Sequence, residues 1–314
     1  MRFNQRFPKT TSPDHPMLPS VTPCASGVGH AGDLIDLVES RMMDLIHPER
    51  EREQESLSDA AGAAAYHLAS GGQRVRARLA LSSGKSLGLT DSDAVTIASC
   101  VELLHNASLI HDDLQDREQC RRGVKTVCAA YGDHIAICAG DLLVSAAYAA
   151  LAHFSNAAML PELLLLVHER TSVVIAGQCA ELNPTGDALL DMDVYGNIAA
   201  GKSGSLLSLP IEMALLVSGK REWIAEARRA AEDFAIGYQI ADDMEDVAQD
   251  ERSRAVNAVL ALKASGQGDF PSALATARER GLRHLDQAIS RSGGLPGGSG
   301  SLLMELAQGL RDRL

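Results

Sequence analysis

The spacing of apolar residues is helical along nearly the whole chain from about residue 31 onward. In the first such segment they recur every three or four positions, at Leu34, Leu37, Val38, Met42, Leu45 and Ile46, and so occupy one face of an α-helix. The same spacing recurs over 58–69, 74–88, 92–114, 134–152, 161–182, 190–218, 222–247, 253–264, 271–290 and 301–313. Strand signals are scarce, because only 4% of the residues are aromatic and alternating β-branched runs are absent. The pattern predicts an all-α domain of ten or more helices.

The composition argues against a nucleic-acid partner and a membrane span, and it indicates a reducing environment. The 314 residues include 41 acidic and 29 basic side chains, a formal charge of −12, which argues against a nucleic-acid partner because such proteins need a basic surface. Every long apolar stretch is interrupted by acidic residues or proline, so no membrane span is expected. The six cysteines form no CxxC pair, which is typical of a reduced, cytoplasmic protein.

Residues 1–27 differ from the rest of the chain. They place prolines among serines and threonines and contain no apolar run. We therefore expect a flexible arm over 1–27 rather than a secretory signal, followed by a single domain over 28–314.

Two predicted helices carry acidic residues where a core helix would be apolar. Each contains the pattern Asp-Asp-x-x-Asp, at 112–116 and at 242–246, among apolar residues such as Ile110 and Ile240. Because 3.6 residues make one turn, the first and last aspartates of each pattern share a helix face. Clustered carboxylates repel one another unless cations neutralise them, and their hard oxygens suit Mg2+ completed by phosphate oxygens. A solvated helix end would explain one such pattern, but not two inside apolar helices.

A series of short motifs accompanies these two patterns in a specific order. They are Gly71 to Arg76 (GGQRVR), Glu102 to Asp116 (ELLHNASLIHDDLQD), Arg121-Arg122-Gly123, Gly140-Asp141, Gly177-Gln178 with Glu181, Lys202-Ser203-Gly204, and Gln239 to Asp246. In this order they resemble the motifs of the trans-isoprenyl diphosphate synthases, over roughly residues 35–250. That family joins an allylic diphosphate head-to-tail to isopentenyl diphosphate inside an all-helical isoprenoid synthase fold.

The resemblance implies a role for each matching residue. Three Mg2+ ions would be held by Asp112, Asp116 and Asp242 directly, and by Asp113, Asp243 and Asp246 directly or through water. The allylic diphosphate would be held and ionised with the help of Arg121, Lys202, Ser203 and Gln239. The isopentenyl diphosphate would be bound by Gln73, Arg76, His105 and Arg122. The residues expected to carry the chemistry are Asp112, Asp113, Asp116, Lys202 and Asp242, and the family likeness also implies a homodimer.

The chain departs from the family pattern at three places. Gln73 stands where the family has a lysine, which removes one cation from the isopentenyl diphosphate site. The loop after Asp246 is short and lacks the usual lysine, so Arg252 or Arg254 is left as a candidate replacement. Cys128 stands where a histidine or tryptophan is common.

Two further expectations concern the product and the reaction class. Ala107 and Ser108 precede Asp112 by five and four residues, where short-chain enzymes of the family often place an aromatic floor. Their small size favours a product of C20 or longer, with C15 possible. Two alternatives remain open: a terpene synthase-like enzyme that ionises one allylic diphosphate, and a non-catalytic subunit of a heteromeric synthase.

Overall fold

The computed structural model describes residues 28–47, 59–182, 192–253, 256–264 and 269–314. The predicted arm over 1–27 lies outside the described residues. Contacts divide the chain into two compact units, and each is treated by itself. Among the described residues, the first unit holds those up to 85 and 89–164, and the second holds 86–88 and those from 165 onward.

The first unit is built from helices and one short hairpin. Its elements are α1 (Val28–Ile46), α2 (Asp59–Ala69), α3 (Val75–Ser86), α4 (Asp91–Gln115), β1 (Cys120–Arg121), β2 (Val124–Lys125), α5 (Val127–Tyr131) and α6 (Asp133–Ala150). The two strands pair antiparallel, with Cys120 opposite Lys125. The next helix, α7 (Leu160–Leu182), begins in this unit and continues into the second.

The described residues of the second unit form helices joined by short turns. After α7 it contains α8 (Met192–Ala199), a π-helical turn (Ala200–Gly204), α9 (Ser205–Val217), α10 (Ile224–Ser253), α11 (Ala258–Ala264), α12 (Phe270–Gly293) and α13 (Ser301–Arg311). The prediction of an all-α architecture of ten or more helices is confirmed.

Helix α4 forms the centre of the first unit. It begins at a Thr90 N-cap, whose hydroxyl accepts a hydrogen bond from the backbone N–H of Asp93. Ile97, Val101 and Leu103 are fully buried, and the helix packs against α1 and α6. A helix that is apolar on most of its faces must be enclosed by others. Its carboxyl-terminal end carries the first acidic motif.

Helix α10 has the corresponding position in the second unit and packs against α9 and α12. Phe234 is fully buried in it. At Gly237 the helix approaches α12 so closely that a Cβ atom would lie 2.8 Å from the Leu285 side chain. This close packing fixes the helix that carries the second acidic motif.

One described helix, extending over Asp133–His153, is long and apolar enough to cross a membrane by length and composition alone. In that stretch 44% of the window is buried inside the protein. A single helix of this kind is weak evidence, because the core helix of a soluble protein passes the same test. The absence of a membrane span stays a prediction.

Candidate active site

The glycine loop between α2 and α3 lies against the β-hairpin of the first unit. Gly71 and Gly72 have φ angles of +80° and +135°, which only glycine adopts at low cost. The Arg122 guanidinium donates a hydrogen bond to the carbonyl of Gly71. A Cβ atom at Gly72 would lie 2.8 Å from the Nη1 atom of Arg122. Gly72 is therefore needed to let the Arg122 side chain lie against the loop.

Arg74, in the same loop, makes hydrogen bonds that hold the loop against α1 and the end of α2. It is buried, and its φ angle is +51°. Its Nε atom donates to Glu39 at 2.8 Å, and its Nη2 atom donates to the carbonyl of Leu68 at 2.9 Å. The Glu102 carboxylate lies 3.9 Å from Nη1 and also accepts from the backbone N–H of Ala77 at 3.1 Å. These contacts fix the start of α3.

Arg76 and His105 are brought together, although they lie 29 residues apart. Arg76 Nη1 lies 3.0 Å from His105 Nε2. Burial, followed by the nearby guanidinium groups of Arg76, Arg122 and Arg121, holds the pKa of His105 well below its ordinary value. The imidazole is thus neutral at pH 7 and accepts a hydrogen bond from Arg76.

A second histidine, the buried His67 in the last turn of α2, belongs to the same basic cluster and was not expected from the sequence. Only 4% of its surface is exposed. Burial first, and then the charges of Arg122 and Arg121, lower its pKa to about 3. Its position four residues before Gly71 was the one signal in the sequence that could have found it.

The second aspartate of the first acidic motif is paired within the protein. Asp113 is almost fully buried, and its Oδ1 atom accepts from Arg121 Nε at 2.8 Å and Nη2 at 2.7 Å. Burial raises the pKa of Asp113, and Arg121 opposes that shift. Both residues were predicted to serve the metal-bound diphosphate, and here the ion pair ties the end of α4 to β1.

The second aspartate of the second motif is held still more firmly. Asp243 is 2% exposed. Its Oδ2 atom accepts from the hydroxyl of Tyr195 at 2.8 Å and the backbone N–H of Ala258 at 2.6 Å, and its Oδ1 atom accepts from Gln239 Nε2 at 2.9 Å. Burial raises the pKa of Asp243 to about 7. Because three donors already bind this carboxylate, it has little capacity for a metal ion. One of these donors is the side-chain amide of Gln239, which therefore points to Asp243 and not to solvent.

Asn257 extends this network from the segment that follows α10. Its Nδ2 atom donates to the carbonyl of Asp243 at 2.7 Å and to Asp250 at 2.8 Å. Its Oδ1 atom accepts from the backbone N–H of Val259 at 2.9 Å, which caps α11. Asn257 and Tyr195 were also not expected from the sequence, since nothing in their local pattern marks them.

The remaining motif aspartates lie at the partly exposed face of each helix. Asp112 and Asp116 are one turn apart at the end of α4, and Asp242 and Asp246 are one turn apart on α10, all half-buried. In the described part of the chain, no three His, Cys, Asp or Glu side chains lie close enough to hold a metal ion by themselves. Paired carboxylates of this kind fit Mg2+, which takes oxygen ligands and is usually completed by water and substrate phosphates.

Lys202 and Ser203 lie on the π-helical turn of the second unit. Lys202 Nζ donates to Glu181 Oε2 at 2.6 Å. A Cβ atom at Gly177 would lie 2.9 Å from the backbone nitrogen of Lys202, so the turn approaches α7 through that glycine. Beyond the second motif, Arg252 Nε donates to the carbonyl of Ala248 in its own helix, and Arg254 lies outside the described residues.

The two small residues before Asp112 differ in their surroundings. Ala107 is 1% exposed, whereas Ser108 is half-buried and its hydroxyl donates to the carbonyl of His105 at 2.8 Å. Cys128 Sγ lies 3.2 Å from the Thr126 hydroxyl. The role of Ala107 and Ser108 in product length stays a prediction.

Comparison with known proteins decides the family. A family-wide profile described as polyprenyl synthetase matches residues 59–257. The chain belongs to the polyprenyl synthetase family. The match includes the glycine loop, both acidic motifs and the arginine pair of the hairpin, and so extends over both units of this polyprenyl synthetase.

Individual relatives agree with this assignment. A short chain isoprenyl diphosphate synthase from Methanothermobacter thermautotrophicus is 31% identical over 65% of this chain and 64% of its own length. A farnesyl diphosphate synthase from Geobacillus stearothermophilus is 29% identical over 72% and 79%. The aligned part is therefore less than two-thirds of the Methanothermobacter relative. Geranylgeranyl pyrophosphate synthetase from Geoglobus acetivorans shares the fold, with a TM-score of 0.77, 24% identity, and coverage of 90% and 99% of the two chains.

Proposed function

We propose that this polyprenyl synthetase is a Mg2+-dependent head-to-tail trans-prenyltransferase, which condenses isopentenyl diphosphate with an allylic diphosphate. The observation that carries the proposal is the basic cluster of the first unit, in which Arg76 contacts His105, Arg122 contacts the glycine loop, and the charge of Arg122 acts on His105. These are the residues whose pattern predicted the isopentenyl diphosphate site.

The charges of this cluster support an anionic ligand. Arg74 and Arg121 are matched by the carboxylates of Glu39 and Asp113. Arg76 contacts the neutral imidazole of His105, and Arg122 donates to the backbone carbonyl of Gly71. Burial and the repulsion of its neighbouring arginines lower the pKa of Arg122, so an anion there would relieve repulsion between like charges. Guanidinium groups bind phosphate oxygens in pairs.

The first and last aspartates of each motif are the proposed Mg2+ ligands, because their half-buried carboxylates are one turn apart on each helix. The resemblance implies three ions per active site. When bound, Mg2+ neutralises the diphosphate leaving group and so favours its ionisation. Asp113 and Asp243 are proposed to position the helices rather than to contact the metal directly, because both carboxylates are buried against protein donors.

The side chains proposed for the allylic diphosphate must exchange partners when it binds. Lys202 pairs with Glu181, Gln239 with Asp243, and Arg121 with Asp113. A diphosphate carries more charge than any one of these carboxylates, so it competes for the same donors. Ser203 lies beside Lys202 on the same turn. Release of diphosphate leaves an allylic cation, and the apolar helices would protect it from water.

Two other functions are weighed against this one. A terpene synthase-like reaction needs no second diphosphate site. Gln73 favours it, as does the segment after Asp246, which lacks the family's lysine and continues as helix α10 to Ser253 instead of forming the expected loop. A non-catalytic subunit would not need both acidic motifs, and this chain retains both. The contact of Arg76 with His105, beside Arg122, favours condensation over either alternative.

The proposed assembly and location rest on different observations. Leu165 and Ile175 on α7 expose 57% and 58% of their surface, and Ile137 on α6 exposes 46%. Singly exposed apolar side chains are normal on a protein surface, so the proposed homodimer rests on the family resemblance. The five described cysteines are free thiols, in keeping with the proposed cytoplasmic location. The small Ala107 and Ser108 support a product of C20 or longer over C15.

One assay tests the reaction class directly. The protein is incubated with Mg2+, labelled isopentenyl diphosphate and a C5, C10 or C15 allylic diphosphate, and the products are separated by chain length. We expect label in prenyl diphosphates longer than the allylic substrate, and its loss with EDTA. Release of diphosphate from the allylic substrate without incorporation of label would instead identify the terpene synthase-like reaction.

A further inference from the structure

The segment that follows α10 contacts the second acidic motif through one buried side-chain amide. Asn257 is 2% exposed and lies immediately before α11. Its Nδ2 atom donates to the backbone carbonyl of Asp243 at 2.7 Å and to the carboxylate of Asp250 at 2.8 Å. The next residue, Ala258, donates its backbone N–H to the carboxylate of Asp243 at 2.6 Å. Residues 257 and 258 therefore hold both the backbone and the side chain of Asp243.

The amide of Asn257 joins two turns of α10 to the start of α11. Asp243 and Asp250 are seven residues apart on α10 and so share one face of that helix. The Oδ1 atom of Asn257 accepts from the backbone N–H groups of Val259 and Leu260 at 2.9 and 3.3 Å, which have no acceptor within the first turn of α11. Both donors and both acceptor sites of the amide are thus used within the protein.

Apolar packing also holds α11 in place, independently of this amide. Val259 and Leu262 of α11 are fully buried and belong to one apolar cluster with Ile240 of α10. Burial of apolar surface is non-directional, so it does not select one register of α11 against α10. A buried polar network whose members are all satisfied does specify a single arrangement. The amide therefore fixes the register at the turn of α10 that carries the second acidic motif.

We propose that Asn257 is a positioning residue for the second acidic motif, because its hydrogen bonds fix the turn of α10 that carries the proposed Mg2+ ligands Asp242 and Asp246. Asp243 transmits the effect, since it adjoins one of these ligands and is held at both its carbonyl and its carboxylate. This inference rests on the proposed function, because it needs Mg2+ at these aspartates. The competing explanation is that Asn257 serves only as the N-cap of α11.

The Mg2+ requirement of the folded protein separates positioning from capping. Mg2+ and inorganic diphosphate together should raise the melting temperature of the full chain, because a ligand of the folded state stabilises it. The Mg2+ concentration that gives half of this rise reports metal binding without turnover. In Asn257→Ser the hydroxyl keeps the cap but is too short to reach both acceptors on α10. We expect the half-maximal Mg2+ concentration to rise about tenfold, as for other groups that orient metal ligands. KM for isopentenyl diphosphate should be unchanged, because its proposed site lies in the first unit.

A double substitution isolates the contact with Asp243. In Asn257→Asp combined with Asp250→Asn, position 250 donates to position 257 and the cap is kept, whereas the donor to the Asp243 carbonyl is lost. The Mg2+ requirement should rise as in Asn257→Ser. The matched control is Asp269→Ala, which removes the N-cap of α12 in the same unit, where Oδ1 accepts from the backbone N–H of Ser272 at 3.1 Å. It should lower the melting temperature and leave the Mg2+ requirement unchanged.

An unchanged Mg2+ requirement in folded Asn257→Ser would overturn the inference, as would an equal rise in Asp269→Ala or a rise that the double variant lacks. Should the variants fail to fold, hydrogen exchange of the unaltered protein decides the question. Because coupling between two sites is reciprocal, Mg2+ with inorganic diphosphate should slow exchange of the Ala258 amide about tenfold, and an equal rate would refute the link.

Asp242→Ala distinguishes the two levels of argument. If this variant keeps the normal Mg2+ requirement, the proposed metal site and the proposed function fail. If it loses the response to Mg2+ while Asn257→Ser keeps it, only the assignment of Asn257 fails.

Discussion

Replacing Gly72 by alanine should weaken the use of isopentenyl diphosphate as well as destabilise the fold. A Cβ atom there would lie 2.8 Å from Arg122 Nη1 and 2.9 Å from Cζ. Ordinary contact distances are about 3.5–4.0 Å, so the guanidinium must retreat by roughly 0.5–1 Å or more. It would then leave the carbonyl of Gly71 and the place where the diphosphate is proposed to bind.

The size of the effect follows from what is lost. A hydrogen bond to a charged group contributes about 1.5–3 kcal/mol, which corresponds to an increase of roughly 10- to 150-fold in KM for isopentenyl diphosphate. The φ angle of +135° at Gly72 adds backbone strain of about 1–3 kcal/mol to the alanine variant. KM for the allylic diphosphate should change little, because Arg122 is assigned to the other substrate.

Gly71→Ala is the matched control for this change. Gly71 also has a positive φ angle, +80°, but a Cβ atom there would meet nothing within 4 Å. It should therefore lose about 1–2 kcal/mol of stability and keep its KM. Steady-state kinetics with each substrate varied in turn, together with melting curves, measure both quantities. An unchanged KM in folded Gly72→Ala, or an equal rise in Gly71→Ala, would refute the reasoning.

Three further predictions test other parts of the site. Asp112→Ala and Asp242→Ala should each lower turnover by at least about a hundredfold, because each removes a proposed ligand of the ion that stabilises the leaving group; near-normal rates in a folded variant would contradict this. Ala107→Tyr should shorten the product while retaining the first condensation, as chromatography of the products would show, whereas a lower melting temperature with unchanged product length would indicate overpacking alone. Tyr195→Phe should lower the free energy of unfolding by about 1.5–3 kcal/mol through loss of the hydrogen bond to Asp243, measured by denaturant titration; an unchanged midpoint would mean that the remaining donors compensate.

The helices could be predicted from the sequence because their buried faces repeat every three to four residues. The helical apolar spacing over 92–114 corresponds to α4 at Asp91–Gln115, and that over 271–290 corresponds to α12 at Phe270–Gly293. The apolar spacing over 190–218 does not correspond to one continuous α-helix, because this range contains the π-helical turn at Ala200–Gly204. Apolar spacing does not distinguish a single wider turn from the α-helix on either side of it.

Residue types and motif order predicted which residues belong to the site, but not how those residues pair with one another. The meeting of Arg76 and His105 was expected, because both belong to motifs assigned to one substrate. The partner of each charged group was not, since that choice depends on how distant segments approach one another. Tyr195 reaches Asp243 across 48 residues, and His67 joins the arginines of a hairpin more than fifty residues away. No local pattern contains such information.

The geometry of a helix nevertheless explains why both acidic motifs begin with two aspartates. Residues one and five of the motif are a full turn apart and share the half-buried face, whereas residue two is rotated by about 100° toward the protein. In each unit that second carboxylate is buried and paired, by Arg121 in one case and by Tyr195 in the other. A buried carboxylate with fixed donors holds its helix in one rotational setting, and that setting decides where the other two carboxylates point. The aspartate doublet thus combines a structural group and a proposed metal ligand in adjacent positions, and the two roles can be separated because they lie on different faces of the same helix.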